Sequence, residues 1–265
     1  MGALLFTAEG YWLIGEDCDQ VYLGFVFLST MLVYSTHRII GIRKLAEVSD
    51  QGRFQIISQY RHHLIIYIFL SLAGLLWLAP KIPTSTLLYL VPLGIISVLY
   101  TLPLLGGVRL RDFHYIKILL IACVWSGLAL HPILLQQGLS FSSLLIFLEK
   151  VCFMIAITIP FDIRDVNIDG GLKTIPKMIG VEKAYRMSFL LLAIGGLCLL
   201  LLIFIEEGFA NFGVGWWISI GLAYLITVAV LKISKNKTSD YYYSGLIDGT
   251  LVIRGLILGA FSLLG

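Results

Sequence analysis

Charge is scarce in this chain of 265 residues. Only 13% are Asp, Glu, Lys or Arg, about half the share of an ordinary soluble domain. A soluble globular enzyme is excluded on that ground. The net charge is only +3, and no basic arm with interleaved aromatics occurs, which excludes nucleic acid as a partner. Cysteines are few: Cys18, Cys123, Cys152 and Cys198, with no Cys-x-x-Cys spacing. Metal-knuckle, redox and disulfide readings fall away. The last three sit in apolar runs and read as small buried hydrophobes. Residues 1–12 carry no basic residue ahead of their apolar run, so a normal signal peptide is not expected.

What the chain has in abundance is apolar length. Hydrophobic residues make up 58%, and the mean hydropathy is +0.93. A membrane-crossing helix needs about 20 mostly apolar residues. Runs at 21–35, 64–79, 85–102, 116–135, 144–161, 188–205, 215–231 and 245–263 meet or approach that length. Residues 3–14 are apolar but short and carry Glu9; they read as the stub of a further span. The expectation is an all-α, polytopic bundle of eight or nine helices, forming a single domain over residues 1–265. Small pairs such as Gly195–Gly196 suit close helix approach in lipid.

The connections alternate in charge. Segments 37–62, 104–117, 162–186 and 232–240 hold all of the 19 basic residues except Lys81, Lys150 and Arg254. The other connections carry Glu16, Asp17, Asp19, Glu206 and Glu207. The positive-inside rule places the four basic segments in the cytoplasm of a multi-pass cell-membrane protein. Three ionisable residues lie inside spans: Glu149, Lys150 and Arg254. Such charges are costly in a bilayer and mark function by default; a purely structural role is the competing reading. Adjacent helical residues diverge by about 100°, so Glu149 and Lys150 are expected to pair with other helices.

The stretch at 160–180, PFDIRDVNIDGGLKTIPKMIG, concentrates the chemistry. Asp162, Asp165 and Asp169 are three and four residues apart, which on a helix puts three carboxylates on one face. Like charges there repel, and the end of the preceding helix disfavours anions. A cation relieves both, and Mg²⁺ with its preference for carboxylate and phosphate oxygen is the natural choice. Lys173 and Lys177 follow and can take remaining phosphate charge. The bland alternative is a solvated loop with three Asp. A second stretch, LYTLPLLGGVRLRDFHYIKILLIACVWSG, carries Tyr100, then Arg109 and Arg111, then Lys117, with Trp125 inside the next span. A third, YYYSGLIDG, opens the last span.

Together these resemble the UbiA superfamily of intramembrane prenyltransferases. The family's second aspartate-rich motif, followed by a Gly-rich turn and Thr-x-Pro, is matched by Asp162, Asp165, Asp169, Thr174 and Pro176. The resemblance extends over nearly the whole chain, and this motif is its specific part. It implies a helix bundle around a central cavity, with Mg²⁺ held by Asp162, Asp165 and Asp169 as catalytic and metal residues. It implies transfer of an isoprenyl group from an isoprenyl diphosphate to a lipophilic acceptor, often aromatic. Diphosphate contacts are expected from Arg38, Arg43, Lys44, Arg109, Arg111, Lys117 and Lys173, and cavity contacts from Tyr100 and Trp125.

One departure is large. Where the family's first aspartate motif belongs, the chain reads LVYSTHRIIGIRKL. Ser35 takes the Asn position, and Thr36, Ile39 and Arg43 take the Asp positions. One ion is then expected at the remaining triad, with Arg38, Arg43 and Lys44 meeting diphosphate directly. The alternative is a weak or inactive member that binds an isoprenoid lipid or a membrane partner. A transporter is the third reading and ranks last, because no paired Gly/Pro-broken spans occur in corresponding halves. His37, His62 and His63 read as satisfied or solvated side chains.

Overall fold

The computed structural model describes residues 1–47, 59–104, 108–113, 116–166, 174–205, 214–237, 239 and 241–262, and of 42–47 and 262 the backbone only. Its elements are helical throughout: α1 Gly2–Trp12, α2 Gln20–Glu47, α3 Arg61–Leu78, α4 Thr84–Thr101, α5 Ile116–Gln137, α6 Phe141–Arg164, α7 Ile175–Ile179, α8 Val181–Ile205, α9 Val214–Ser234 and α10 Gly249–Ser262. A π turn, Tyr242–Ile247, leads into α10. Eight helices among the described residues are long and apolar enough to cross a membrane, from Gln20–Gly41 to Tyr242–Phe261. They coincide one for one with the eight runs read from the sequence. Their ends reach further because Gln20, Arg61, Arg164 and Glu182 extend helices past their apolar stretches. The chain is a multi-pass membrane protein, an all-α bundle. Leu76, Trp77, Phe204 and Val214 are two-thirds exposed or more, which suits helix faces turned to lipid.

The chain divides into two compact units. One holds Met1–Cys18 with Ile118–Gly265, the other Asp19–Lys117.

The first unit is built on α6. Ser140 caps its start: Ser140 Oγ accepts from the Ser143 amide at 3.1 Å, and Ser143 Oγ accepts from the Ser140 amide at 2.8 Å. This reciprocal cap satisfies two amides that the first turn leaves open. Phe153, Ala156, Ile157 and Ile159 of α6 are buried in the core, against Ala184 and Leu192 of α8 and Leu231 of α9. Pro160, in the last turn, has no amide to give to Ala156 and loosens the helix just before its acidic end. The stub at 3–14 proves to be a buried helix. At about 1.5 Å per residue, the eleven residues of α1 reach only about half of a 30 Å hydrocarbon core. Phe6 of α1 stacks on Phe153 at 6.3 Å and meets Trp125 at 6.5 Å. Gly10 makes the approach possible, because a Cβ there would fall on the Ala129 carbonyl oxygen of α5.

The second unit holds α2, α3 and α4. Asp19 caps α2, its Oδ1 accepting from the amides of Val21 at 2.8 Å and Tyr22 at 3.1 Å. Gly24 faces Leu78, and Gly74 faces Leu28, so α2 and α3 run antiparallel with glycine contacts at one end.

The cysteine expectation needs one correction. Cys152 and Cys198 are buried, but Cys123 is exposed and Cys18 is half-buried. Cys123 lies on the outer face of α5, where lipid serves an apolar thiol as well as a core does.

Candidate functional site

In the first unit the acidic motif sits at the end of α6. Asp162 is buried at 2% exposure. Asp165 is the C-cap, its amide donating to the Phe161 carbonyl at 3.0 Å. The two carboxylates are three residues apart, as the spacing read from the sequence requires. Arg164, whose role sequence reasoning missed, grips Asp165 with both arms of its fork, Nε to Oδ1 at 2.7 Å and Nη2 to Oδ2 at 2.8 Å. The same guanidinium lies over the rings of Phe161 at 5.3 Å and Tyr243 at 5.1 Å. Tyr243 in turn donates to the Lys237 carbonyl at 3.0 Å. Asp169 and Lys173 lie outside the described residues. Beyond them Thr174 is buried, with a hydroxyl that meets no hydrogen-bond partner among the described residues. Pro176 opens α7, and Gly180 closes it at φ 86°, a left-handed turn that suits glycine.

Among the described residues no three His, Cys, Asp or Glu come together as a ready metal cage. The donor chemistry nevertheless fits Mg²⁺. Asp162 and Asp165 offer hard oxygen, and an ion of this type is commonly held by one or two carboxylates. Arg164 covers the charge of Asp165 and is itself supported by two aromatic faces.

In the second unit Arg111 meets His37. Nη1 of Arg111 lies 3.1 Å from His37 Nδ1 and also contacts Nε2. Tyr100 supplies the floor: its ring lies 5.5 Å from the Arg111 guanidinium and 6.1 Å from the His37 ring. Arg38 bonds the Tyr34 hydroxyl one turn back and lies 4.9 Å from that ring. Arg109 is buried and committed to Asp112, Nε to Oδ2 at 3.0 Å and Nη2 to Oδ1 at 2.9 Å. It fixes the turn that presents Arg111. Ser35 is buried, and Thr36 and Ile39 lie beside it on α2. Arg43 and Lys44 lie on α2 in the backbone-only stretch. Lys117 stands in the first turn of α5. Of the two cavity expectations, Tyr100 joins this cluster, whereas Trp125 packs against Phe6 in the other unit. His37 was read from the sequence as incidental. Its position one turn before a basic run was the only signal available.

The first unit also holds a closed set of four charges. Arg254 of α10 donates through Nε to both Glu9 oxygens, at 3.1 and 3.0 Å, and through Nη1 to Glu149 Oε1 at 2.7 Å. Lys150 bonds Glu9 and lies 4.0 Å from Glu149 Oε2. Tyr224 of α9 donates to Glu149 Oε1 at 2.6 Å. All four charged side chains are at most 3% exposed. Phe6 and Phe153 lie 4.4 Å from Lys150 and Arg254 respectively. Glu149 and Lys150 therefore pair with other helices, as their divergence on α6 implied. The missing partner was Glu9, which sequence reasoning had set down as a mere interruption.

No family model and no curated protein matches the chain in sequence. Solved structures match it in fold. The apo structure of a UbiA homolog from Aeropyrum pernix K1 aligns with 99% of this chain and 96% of its own, at TM-score 0.74 and 14% identity. The chain has the UbiA fold. A digeranylgeranylglyceryl phosphate synthase aligns over 98% of this chain and 92% of its own, at TM-score 0.59 and 15% identity. At these identities the likeness is one of fold, and it covers both units.

Proposed function

We propose that this UbiA-fold protein is a membrane prenyltransferase that takes an isoprenyl diphosphate as donor and a lipophilic acceptor. The observation that carries the reading is the pair Asp162 and Asp165 at the end of the central helix α6 of this fold. Asp162, Asp165 and Asp169 would hold Mg²⁺, which when bound withdraws charge from the leaving diphosphate. The remaining chemistry is the chain's own. Arg38, Arg111 and Lys117, with Arg43, Lys44 and Lys173, would donate charge-assisted hydrogen bonds to diphosphate oxygens. Arg109 keeps its fork on Asp112 and holds the turn. The allylic C–O bond breaks with its electron pair leaving on diphosphate. The acceptor's electrons form the new bond, and the acceptor gives up a proton. Aromatic faces suit the cationic carbon that results.

The reading is tested with purified protein and a radiolabelled isoprenyl diphosphate. Binding should be tighter with Mg²⁺ than with EDTA, and Asp165→Asn should remove most of that difference. Inorganic pyrophosphate should be released once a lipophilic phenol is supplied. Equal affinity with and without the ion would reduce the aspartates to an ordinary helix end and overturn their assignment.

A further inference from the structure

We infer that the adjoining ends of α8 and α9 form a binding site for an anionic phospholipid, with Arg186, Lys232 and Lys235 on its headgroup phosphate. The site lies within the first unit and uses none of the residues of the acidic motif. Residues 181–186 and 232–237 hold Lys183, Arg186, Lys232, Lys235 and Lys237 against Glu182 alone. The two ends are tied to each other. Lys235 of α9 reaches both oxygens of Glu182 at 3.4 Å and lies over the rings of Tyr185 at 5.3 Å and Phe189 at 5.9 Å. The Ser234 and Tyr185 hydroxyls are 3.2 Å apart. Arg186, one turn after Glu182, brings Nε to 3.7 Å from the same carboxylate. Lys232 precedes Lys235 by one turn of α9, a spacing that makes the two neighbours on the helix surface. Glu182 therefore marks one side of the pair, on which cations of both helices stand.

Below these cations both helices turn apolar side chains outward. On α8 the face that carries Arg186 continues through exposed Leu190, Leu197 and Phe204, at steps of four, seven and seven residues. On α9 the face that carries Lys232 continues through exposed Leu225, Leu222 and Ile218, at steps of seven, three and four. Such steps keep to one side of a helix. Each helix thus bears an apolar stripe headed by a cation, and the two heads meet. Both helices are long and apolar enough to cross a membrane, so the stripes face acyl chains and the heads face headgroups. A phospholipid has the same layout, an anion above two chains. Basic pockets between spanning helices recognise anionic headgroups for this reason. The ion pairs already present do not compete strongly. Glu182 and Arg186 are well exposed, with side-chain exposures of 63% and 76%, and water weakens such pairs. A phosphate can draw charge-assisted hydrogen bonds from the same cations. Glu182 repels it but is outnumbered. A zwitterionic headgroup brings its own cation to a site that is already positive, so the anionic lipid is preferred. An acidic protein surface would suit the heads and leave the stripes unused.

Native mass spectrometry of the full protein, titrated in separate samples with dioleoyl phosphatidylglycerol and dioleoyl phosphatidylcholine, reads the preference. Wild type should retain phosphatidylglycerol several-fold better. Arg186→Gln, Lys232→Gln and Lys235→Gln combined should lose most of that excess. Lys81→Gln, which removes the cation over Trp77 in the other unit, should keep it. Glu182→Gln removes the competing carboxylate and should raise it, a gain that loss of a merely structural ion pair would not produce. Equal retention of the two lipids by wild type overturns the proposal. So does an excess that survives in the triple variant, or one that falls in Glu182→Gln. A second measurement needs no variant. In phosphatidylcholine vesicles, wild type should immobilise more spin-labelled phosphatidylglycerol than spin-labelled phosphatidylcholine, and the excess should shrink as salt screens the cations. No excess at low salt, or one that salt does not touch, overturns the assignment of the headgroup to Arg186, Lys232 and Lys235.

Discussion

Glu9 stands among the last residues of an eleven-residue helix, yet it balances two cations drawn from helices far apart in the chain. An ionised group at bilayer depth costs about 2.5–3.5 kcal/mol on insertion scales. Four of them are held by pairing: Glu9 and Glu149 against Lys150 and Arg254, with the Tyr224 hydroxyl also donating to Glu149 Oε1. Removing one member leaves an uncompensated buried charge, which costs about 3–5 kcal/mol. Glu9→Gln should therefore lower thermal stability in detergent strongly. Glu9→Gln combined with Lys150→Met removes one charge of each sign and should recover most of the loss. If the double variant instead loses the sum of the two single losses, the four charges do not act as one set.

At the scale of the element, α6 links that buried set to the acidic end. Glu149 and Lys150 lie in its middle and Asp162 and Asp165 at its end, so whatever fixes its start and rotation also places the carboxylates. Ser140→Ala should cost about 1 kcal/mol through the lost N-cap, read as a fall in thermal midpoint. Gly10→Leu should cost more, because the side chain meets the Ala129 backbone of α5, and loss of α1 packing should expose Phe6. An unchanged midpoint in Gly10→Leu would mean that α1 docks otherwise. Sequence reading succeeds best at this scale. Apolar run length decides a spanning helix almost alone, so all eight appear in place. For α1 it found the apolar run but not the burial, because Glu9's partners Lys150 and Arg254 are distant in sequence. The same holds within the sites. The spacing singles out Asp162 and Asp165, but α6 ends at Arg164 with Asp165 as its C-cap, so the two do not both lie within the helix. The Arg164 fork and the His37–Arg111 contact depend on rotamers and on helices meeting across the fold, which no local pattern encodes.

For the whole molecule the open quantity is which membrane face carries the acidic motif, and the charge pattern supplies an expectation. Eight crossings alternate, so the connections after the first, third, fifth and seventh spans share one side. Those four connections, with the span ends that flank them, hold all of the 19 basic residues except Lys81, Lys150 and Arg254. Retention of Lys and Arg on the inner side is the dominant orienting rule, and on that basis we propose that the end of α6 faces the cytoplasm. Cysteine labelling of intact cells with a membrane-impermeant maleimide tests it. Cys18 precedes the first span and falls on the outer side in this arrangement, so it is first replaced by Ser. In that background a cysteine at Gln137, the last residue of the fourth span, should label from outside. A cysteine at Asn167, within the acidic connection, should label only after the cells are opened. The opposite pattern would invert the protein in the membrane. It would place the proposed diphosphate chemistry outside the cell, where the basic residues would have been translocated against the rule.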